Sequence, residues 1–157
     1  MNHRTTTAIL LAILIPAASG FATARANHPA AQSGTFANHP DRTVWDSVFT
    51  AEQAARGQAV YAQRCARCHQ AGLAGDTDNP PLAGKVFLSG WNNMTAADLH
   101  DRIYTSMPND SAGTLSKEQS VDLVAHLFNA NGFPAGRKEL LVDVDSLSHI
   151  RIEARRP

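Results

Sequence analysis

The amino-acid sequence predicts an all-α domain with three or more helices, and two observations carry this prediction. Three segments each begin with a hydroxyl residue that is followed three positions later by a polar residue, a pattern typical of helix starts. The last of these segments places Val121, Val124 and Phe128 on one face at helical spacing. The alternation over residues 149–153 favours one short strand, which is too little for a sheet-based core.

The three helix starts are Thr50-x-x-Gln53, Thr95-x-x-Asp98 and Ser116-x-x-Gln119. They predict helices from about Ala51 into a cysteine motif, from about Ala96 to Ser106, and from about Lys117 to Ala130. The second helix ends there because Pro108 disfavours a helical residue before it. Residues 70–94 are rich in Gly, Pro, Asn and Asp and predict a long loop, for which wrapping a cofactor would be a reason.

The first 26 residues predict an export signal. His3 and Arg4 precede an apolar run over residues 8–15, which is shorter than the roughly 20 residues of a membrane span. Ala24-Arg25-Ala26 has the small-x-small pattern of a cleavage site. We therefore expect cleavage after Ala26, a periplasmic mature protein and no stable membrane span. The alternative interpretation is an uncleaved helix.

The mature chain is expected to hold one domain between two extensions. The predicted division is a signal peptide over 1–26, a flexible leader over 27–43, the main domain over 44–140 and a C-terminal extension over 141–157. The full chain has 14 basic and 14 acidic residues, and the loss of Arg4 and Arg25 with the signal leaves two more acids than bases. Nothing in this balance resembles a basic stripe, so no nucleic-acid partner is expected.

The two cysteines of the chain lie in Cys65-Ala-Arg-Cys68-His69, the pattern of c-type haem attachment. Two thiols three positions apart at a helix end lie near one face, so they can add to the two vinyl groups along one edge of a porphyrin. The adjacent imidazole then supplies a nitrogen ligand to the iron. The motif therefore predicts one covalently attached haem c on Cys65 and Cys68, with His69 as an axial ligand.

Three other interpretations compete for this motif. A redox dithiol favours a strand-to-helix context, whereas this pair ends a predicted helix. Half of a zinc site would need about four ligands in total, and the sequence has no second Cys/His cluster. A chance occurrence is the third interpretation, and the adjacent histidine and the export signal argue against it.

A second axial ligand is expected from the other side of the haem. Met107 is the leading candidate because it follows a predicted helix and precedes a proline in a loop, and a Met/His pair raises the reduction potential of haem iron. Met94 is the rival, although methionine more often fills gaps in a core. His100 and His126 are further candidates, and both lie on predicted helices as surface or packed residues.

From about Val44 to Leu140 the sequence resembles class I c-type cytochromes, in particular bacterial mono-haem members. The family's glycine-x-x-x-aromatic pattern before the haem motif matches Gly57-Gln-Ala-Val-Tyr61. Its Pro-x-Leu pattern after the motif matches Pro80-Pro81-Leu82, and its axial Met-Pro matches Met107-Pro108. A tryptophan that touches a haem propionate in the family matches Trp91 loosely.

The resemblance implies a class I cytochrome c-like fold around one haem, with the carbonyl of Pro80 bonded to the ring of His69 and with Leu82 and Trp91 beside the haem. His126 is a departure, because the family's C-terminal helix usually presents an aromatic residue to the glycine. The implied function is single-electron transfer between periplasmic redox partners, such as a dehydrogenase and a terminal oxidase, by a carrier that is not itself an enzyme.

Three other functions stay open. The first alternative is the haem subunit of a periplasmic dehydrogenase complex, because residues 131–140 resemble small cytochromes and cytochrome subunits linked to such enzymes. A gas- or peroxide-binding haem protein is expected if Met107 is not a ligand. A thiol oxidoreductase would require that no haem is attached at all.

Overall fold

The computed structural model describes residues 42–156, so the predicted signal peptide and the predicted leader up to residue 41 lie outside the described residues. Within this range a 3-10 turn at Val44–Asp46 is followed by six helices, and two strands flank them. The elements are β1 (Arg42–Thr43), α1 (Ala51–Arg64), α2 (Ala66–His69), α3 (Gly84–Trp91), α4 (Ala96–Ser106), α5 (Lys117–Ala130), α6 (Val144–Ser148) and β2 (Ile150–Arg151). The all-α prediction is confirmed. No helix in the described range is long and apolar enough to cross a membrane.

The three helices predicted from their start signatures are present as α1, α4 and α5. The hydroxyl of Thr50 accepts a hydrogen bond in the first turn of α1. Thr95 and Ser116 form complete capping boxes with Asp98 and Gln119, in which each side chain bonds the other residue's backbone amide. These bonds satisfy amide groups that a helix start otherwise leaves without partners, and they fix where each helix begins.

The predicted loop over residues 70–94 is wrong in its second half, where the chain forms α3. Ala83 precedes this helix and provides no side-chain cap, so the start signature of the other helices is missing. The amide of Gly84 instead donates to the side-chain oxygen of Asn131 at 2.9 Å, from the end of α5. Phe87 is buried and its ring lies near that of Trp91, with centroids 6.1 Å apart. A distant cap and a buried aromatic face therefore stabilise α3.

Helices α1 and α5 pack closely and cross at Gly57. A Cβ atom at this position would overlap the carbonyl oxygen of Asp122 and lie 2.9 Å from Cβ of His126. One turn further along α1, the ring of Tyr61 packs against the imidazole of His126, with centroids 5.2 Å apart. The histidine that departs from the family pattern thus occupies this helix crossing, where it packs as an aromatic residue would.

The predicted C-terminal extension packs against the rest of the domain. Strand β2 confirms the short strand expected near residue 150 and pairs in parallel with β1, with Arg42 opposite Ile150. The last two residues of the predicted flexible leader are therefore part of the fold. Ile152 is fully buried in the central apolar cluster. Its backbone amide donates to the carbonyl of Met94 at 2.8 Å, and its carbonyl accepts from the amide of Asn93 at 2.9 Å. These two bonds tie the extension to the turn between α3 and α4.

Candidate functional site

Helices and loops form a cavity of about 620 Å³ beside the cysteine motif. This volume lies in the range of small-molecule and cofactor sites. The lining residues include all seven that the sequence and its resemblance assigned to a cofactor: Cys65, Cys68, His69, Pro80, Leu82, Trp91 and Met107. Apolar and aromatic side chains of α1, α3, α4 and α5 complete much of the wall: Tyr61, Phe87, Leu99, Ile103, Leu123 and Leu127. The structure thus brings the predicted residues together, and their contacts with a haem stay a prediction.

The cysteine motif reaches the cavity because the chain breaks between two helices. Helix α1 ends at Arg64, one residue before the motif, and Cys65 has φ −120° and ψ −37°. The chain then turns into α2, where the amides of Cys68 and His69 donate to the carbonyl of Cys65 at 3.1 and 2.9 Å. This one turn brings both thiols and the imidazole to the wall of the same cavity.

His69 is buried and its ring orientation is fixed by a backbone carbonyl. Its Nδ1 atom lies 2.8 Å from the carbonyl oxygen of Pro80, which can only accept, so Nδ1 donates. The Nε2 atom is then the ring nitrogen that remains for a metal. When an imidazole binds a metal through one ring nitrogen, a carbonyl that accepts a hydrogen bond from the other ring nitrogen sets the orientation of the ring and raises its basicity. The hydrogen bond implied by the family resemblance is therefore present and involves Pro80.

The cysteines of the site are free thiols, and the environment of Cys65 disfavours a thiolate. Burial raises the pKa of its thiol to about 11, against the opposing effect of the positive charge of Arg64. Thiol oxidoreductases need a thiol with a low pKa, so the redox-dithiol interpretation finds no support here. Within residues 42–156, no group of three or more His, Cys, Asp or Glu side chains is arranged to hold a metal ion.

Among the four candidates for the second axial ligand, Met107 is the one that lines the cavity with His69. It directly follows α4 in extended backbone. Met94 is 38% exposed and does not line the cavity. His100 and His126 are buried on α4 and α5 and do not line the cavity, and burial lowers the pKa of both imidazoles. Their Nε2 atoms have no hydrogen-bond partner.

Two polar contacts of the cavity wall were missed by the sequence analysis. The phenol of Tyr61 donates to the carbonyl of Gln70, the residue after His69, at 2.5 Å. Burial raises the pKa of this phenol to about 12. The family pattern located Tyr61 but carries no signal for this bond. Arg67 lies inside the motif and pairs with Asp110 in the loop after α4. These residues are too far apart in sequence for a local pattern to predict the pair.

The residues of this cavity fit a covalently bound haem. Its apolar walls suit the faces of a large macrocycle. The thiols of Cys65 and Cys68 share the wall with the free Nε2 atom of His69, so thioether bonds and an iron ligand are available from one turn of chain. The thioether of Met107 lines the same space and is a known haem-iron ligand type.

The comparison with protein families agrees with this donor set. Residues 52–127 match the family model described as cytochrome c oxidase, cbb3-type, subunit III. The chain contains a c-type cytochrome domain. The matched residues run from α1 to α5 and contain the cysteine motif, Met107 and the other residues that line the cavity. As a c-type cytochrome the protein carries covalently bound haem with a redox-active iron, and its function lies in electron transfer.

Among solved structures, the sulfane dehydrogenase SoxCD from Paracoccus pantotrophus resembles this cytochrome with a TM-score of 0.46 and 22% sequence identity. The match covers 69% of this chain and 61% of that chain, so the cytochrome spans less than two thirds of the length of the matched chain. A likeness of this size adds nothing to the functional assignment. The search of curated protein sequences returned no significant match.

Proposed function

We propose that this cytochrome is an exported, mono-haem carrier that passes single electrons between periplasmic redox partners, with His69 and Met107 as the axial ligands of its iron. The observation that carries the proposal is the cavity whose wall is shared by both cysteines of the motif and by these two residues. When bound, the haem supplies a one-electron Fe(III)/Fe(II) couple. The single Cys-x-x-Cys-His motif of the sequence supports one haem, and the N-terminal signal pattern supports export.

The residues of the chain have separable roles in this proposal. Cys65 and Cys68 hold the cofactor by thioether bonds, which prevents its loss outside the cell. Pro80 orients the imidazole of His69 through the 2.8 Å hydrogen bond. Met107 fills the second axial position, and thereby excludes small ligands and favours a high reduction potential. The apolar side chains of α4 and α5 keep water from the cavity.

The decisive experiment replaces the proposed thioether ligand. In the haem-loaded protein, Met107→Ala should remove the far-red sulfur-to-iron absorption band of the oxidised form, lower the reduction potential and open the reduced iron to carbon monoxide. Met94→Ala is the matched control, because Met94 lies outside the cavity wall and should change none of these properties. Absorption spectroscopy and potentiometric titration measure all three.

The wild-type protein also tests the competing gas- or peroxide-binding function. If its reduced form binds carbon monoxide rapidly, Met107 does not hold the iron. The carrier function would then be contradicted and the gas-binding alternative favoured, while haem attachment at the cysteine motif would be unaffected.

Covalent attachment and export are tested together on denaturing gels. A periplasmic extract should show haem staining in a band whose mass corresponds to a chain that begins at Asn27. The combined change Cys65→Ala and Cys68→Ala should abolish the stain, because no thioether bond can then form. Stain that persists in this double variant would contradict the attachment site, and a stained band that retains residues 1–26 would contradict cleavage after Ala26.

A second candidate function is the haem subunit of a periplasmic dehydrogenase complex. Three apolar side chains of the C-terminal extension are exposed and close in sequence: Leu141 (61%), Val142 (43%) and Val144 (65%). Clustered exposed apolar residues favour a protein partner. Size-exclusion chromatography of native material separates the candidates, because a free carrier elutes at its own mass and a subunit elutes with its enzyme.

A further inference from the structure

The loop between α2 and α3 presents the carbonyl of Pro80 to His69 without regular secondary structure. Residues 70–83 contain no helix or strand. A carbonyl in such a segment keeps a fixed position only if other contacts hold the backbone around it. Those contacts determine how firmly the imidazole of His69 is oriented.

Asp76 is the centre of these contacts. Its Oδ1 atom accepts hydrogen bonds from the amide of Asp78 at 2.9 Å, from the amide of Asn79 at 2.8 Å and from the side chain of Asn79 at 2.9 Å. The amide of Asp76 itself donates to the carbonyl of Asn79 at 2.8 Å. Four hydrogen bonds therefore join Asp76 to the two residues that immediately precede Pro80, in the manner of an Asx turn.

Gly75 brings the other side of the loop against the same backbone. It has φ +64°, and a Cβ atom there would overlap the carbonyl of Asn79 and lie 2.6 Å from both the carbonyl carbon of Pro80 and the nitrogen of Pro81. The amide of Gly75 also donates to the carbonyl of His69 at 3.1 Å. Only glycine combines this conformation with this approach.

These contacts close a ring that starts and ends at His69. The backbone carbonyl of His69 is bonded to Gly75, Asp76 is bonded to Asn79, and the next residue, Pro80, is bonded to the imidazole of His69. We propose that Asp76 is a positioning residue for the axial histidine. Asp76 fixes the carbonyl of Pro80 and thereby sets the orientation and basicity of the His69 ring. This inference rests on the proposed ligation of the iron by His69.

The protonation state of Asp76 agrees with this role. The hydrogen bond from the side chain of Asn79 is the largest cause that lowers the pKa of the Asp76 carboxyl, followed by the bonds from the amides of Asn79 and Asp78. The carboxylate is therefore the form present near neutral pH. Its negative charge also acts on the nearby His69, so a test must separate the loss of charge from the loss of the hydrogen-bond acceptor.

Two substitutions at this position achieve that separation. Asp76→Asn removes the charge but keeps a side-chain oxygen that accepts hydrogen bonds, whereas Asp76→Ala removes both. In the haem-loaded proteins we expect Asp76→Ala to raise the reduction potential above that of Asp76→Asn, because a loosened Pro80 carbonyl makes the imidazole a weaker base that stabilises Fe(III) less. We also expect Asp76→Ala to change the haem-methyl proton shifts of the oxidised protein, which report the orientation of the imidazole plane.

Thr77→Ala is the control within the same loop, because Thr77 is exposed and takes no part in this network. It should leave the potential and the haem-methyl shifts at the wild-type values. Equal potentials and equal methyl shifts for Asp76→Ala and Asp76→Asn would overturn the proposal, since the acceptor would then have no effect beyond its charge.

A milder variant keeps the test decisive if Asp76→Ala does not accumulate with haem. Asn79→Ala removes one hydrogen bond to Asp76 and leaves the other three, which involve backbone groups of residues 76, 78 and 79, so it should change the methyl shifts and raise the potential by a smaller amount. Wild-type values in Asn79→Ala would then overturn the role of Asp76. Failure of the underlying ligation is recognised separately, because the oxidised wild-type protein itself would then lack the far-red band.

Discussion

At the scale of single residues, His126 is the least expected side chain of the α1–α5 crossing. It packs against Tyr61 where the family resemblance leads one to expect an aromatic ring, and its buried Nε2 atom has no hydrogen-bond partner. A buried polar atom without a partner costs about 1–3 kcal/mol relative to a satisfied one. Burial also lowers the pKa of the imidazole, so the folded protein holds this histidine in its neutral form.

This burial predicts an acid sensitivity that His126→Phe should reduce. The unfolded chain protonates this histidine as the pH falls below about 6.5, whereas the folded chain resists protonation, so stability is lost on the acid side. The stability advantage of the Phe variant over the wild type should therefore grow between pH 7.5 and pH 5.5. Guanidinium unfolding of the haem-loaded proteins at both values measures it.

Two other titratable groups define the comparison. Tyr61 stays neutral over this range because burial raises its pKa to about 12. His100 remains buried in both proteins, so the variant keeps part of the acid sensitivity. A difference in stability that is the same at both pH values would contradict the prediction.

At the scale of helices, the close approach of α1 and α5 depends on the absence of a side chain at Gly57. A methyl group there meets the backbone of Asp122, which cannot move without shifting α5. Gly57→Ala should therefore lower the free energy of unfolding by about 1–3 kcal/mol, the usual cost of overpacking, in chemical denaturation of the haem-loaded protein.

Gly72→Ala is the matched control for this helix crossing. A Cβ atom at Gly72 meets no atom within 4 Å, so this variant should be as stable as the wild type or gain up to about 1 kcal/mol from reduced freedom of the unfolded chain. Equal stability of the two alanine variants would show that α1 and α5 are not held at the observed distance.

The helices also show what could be predicted from the sequence. The starts of α1, α4 and α5 were predictable because each cap lies within four consecutive residues. The start of α3 was not predictable, because the side chain that caps it belongs to Asn131, which is 47 residues away from Gly84. The site divides in the same way: the cysteine motif is local, whereas the Arg67–Asp110 pair and the bond from Tyr61 to Gln70 join residues that only the fold brings together.

At the scale of the whole molecule, the C-terminal extension and the main domain share one apolar core. Ile152 has no exposed surface and bonds the turn between α3 and α4. Ile152→Ala should lower the free energy of unfolding by about 2–5 kcal/mol, as expected for truncation of a buried aliphatic side chain. Thermal or denaturant unfolding of the haem-loaded protein measures this loss.

The same extension offers its own control in Val144, which is 65% exposed. Val144→Ala should change stability by no more than about 0.5 kcal/mol. If Ile152→Ala were equally harmless, the extension would contribute nothing to the domain, and the fold would be complete at Leu140.

The parallel pairing of β1 with β2 has a kinetic consequence. Arg42 finds its partner, Ile150, only after more than 100 further residues have been synthesised. During synthesis, the leading segment therefore remains without its partner strand until the trailing one arrives. Contacts between such distant parts of a chain form late and slow folding. Pairing of these two strands is therefore a late step of folding.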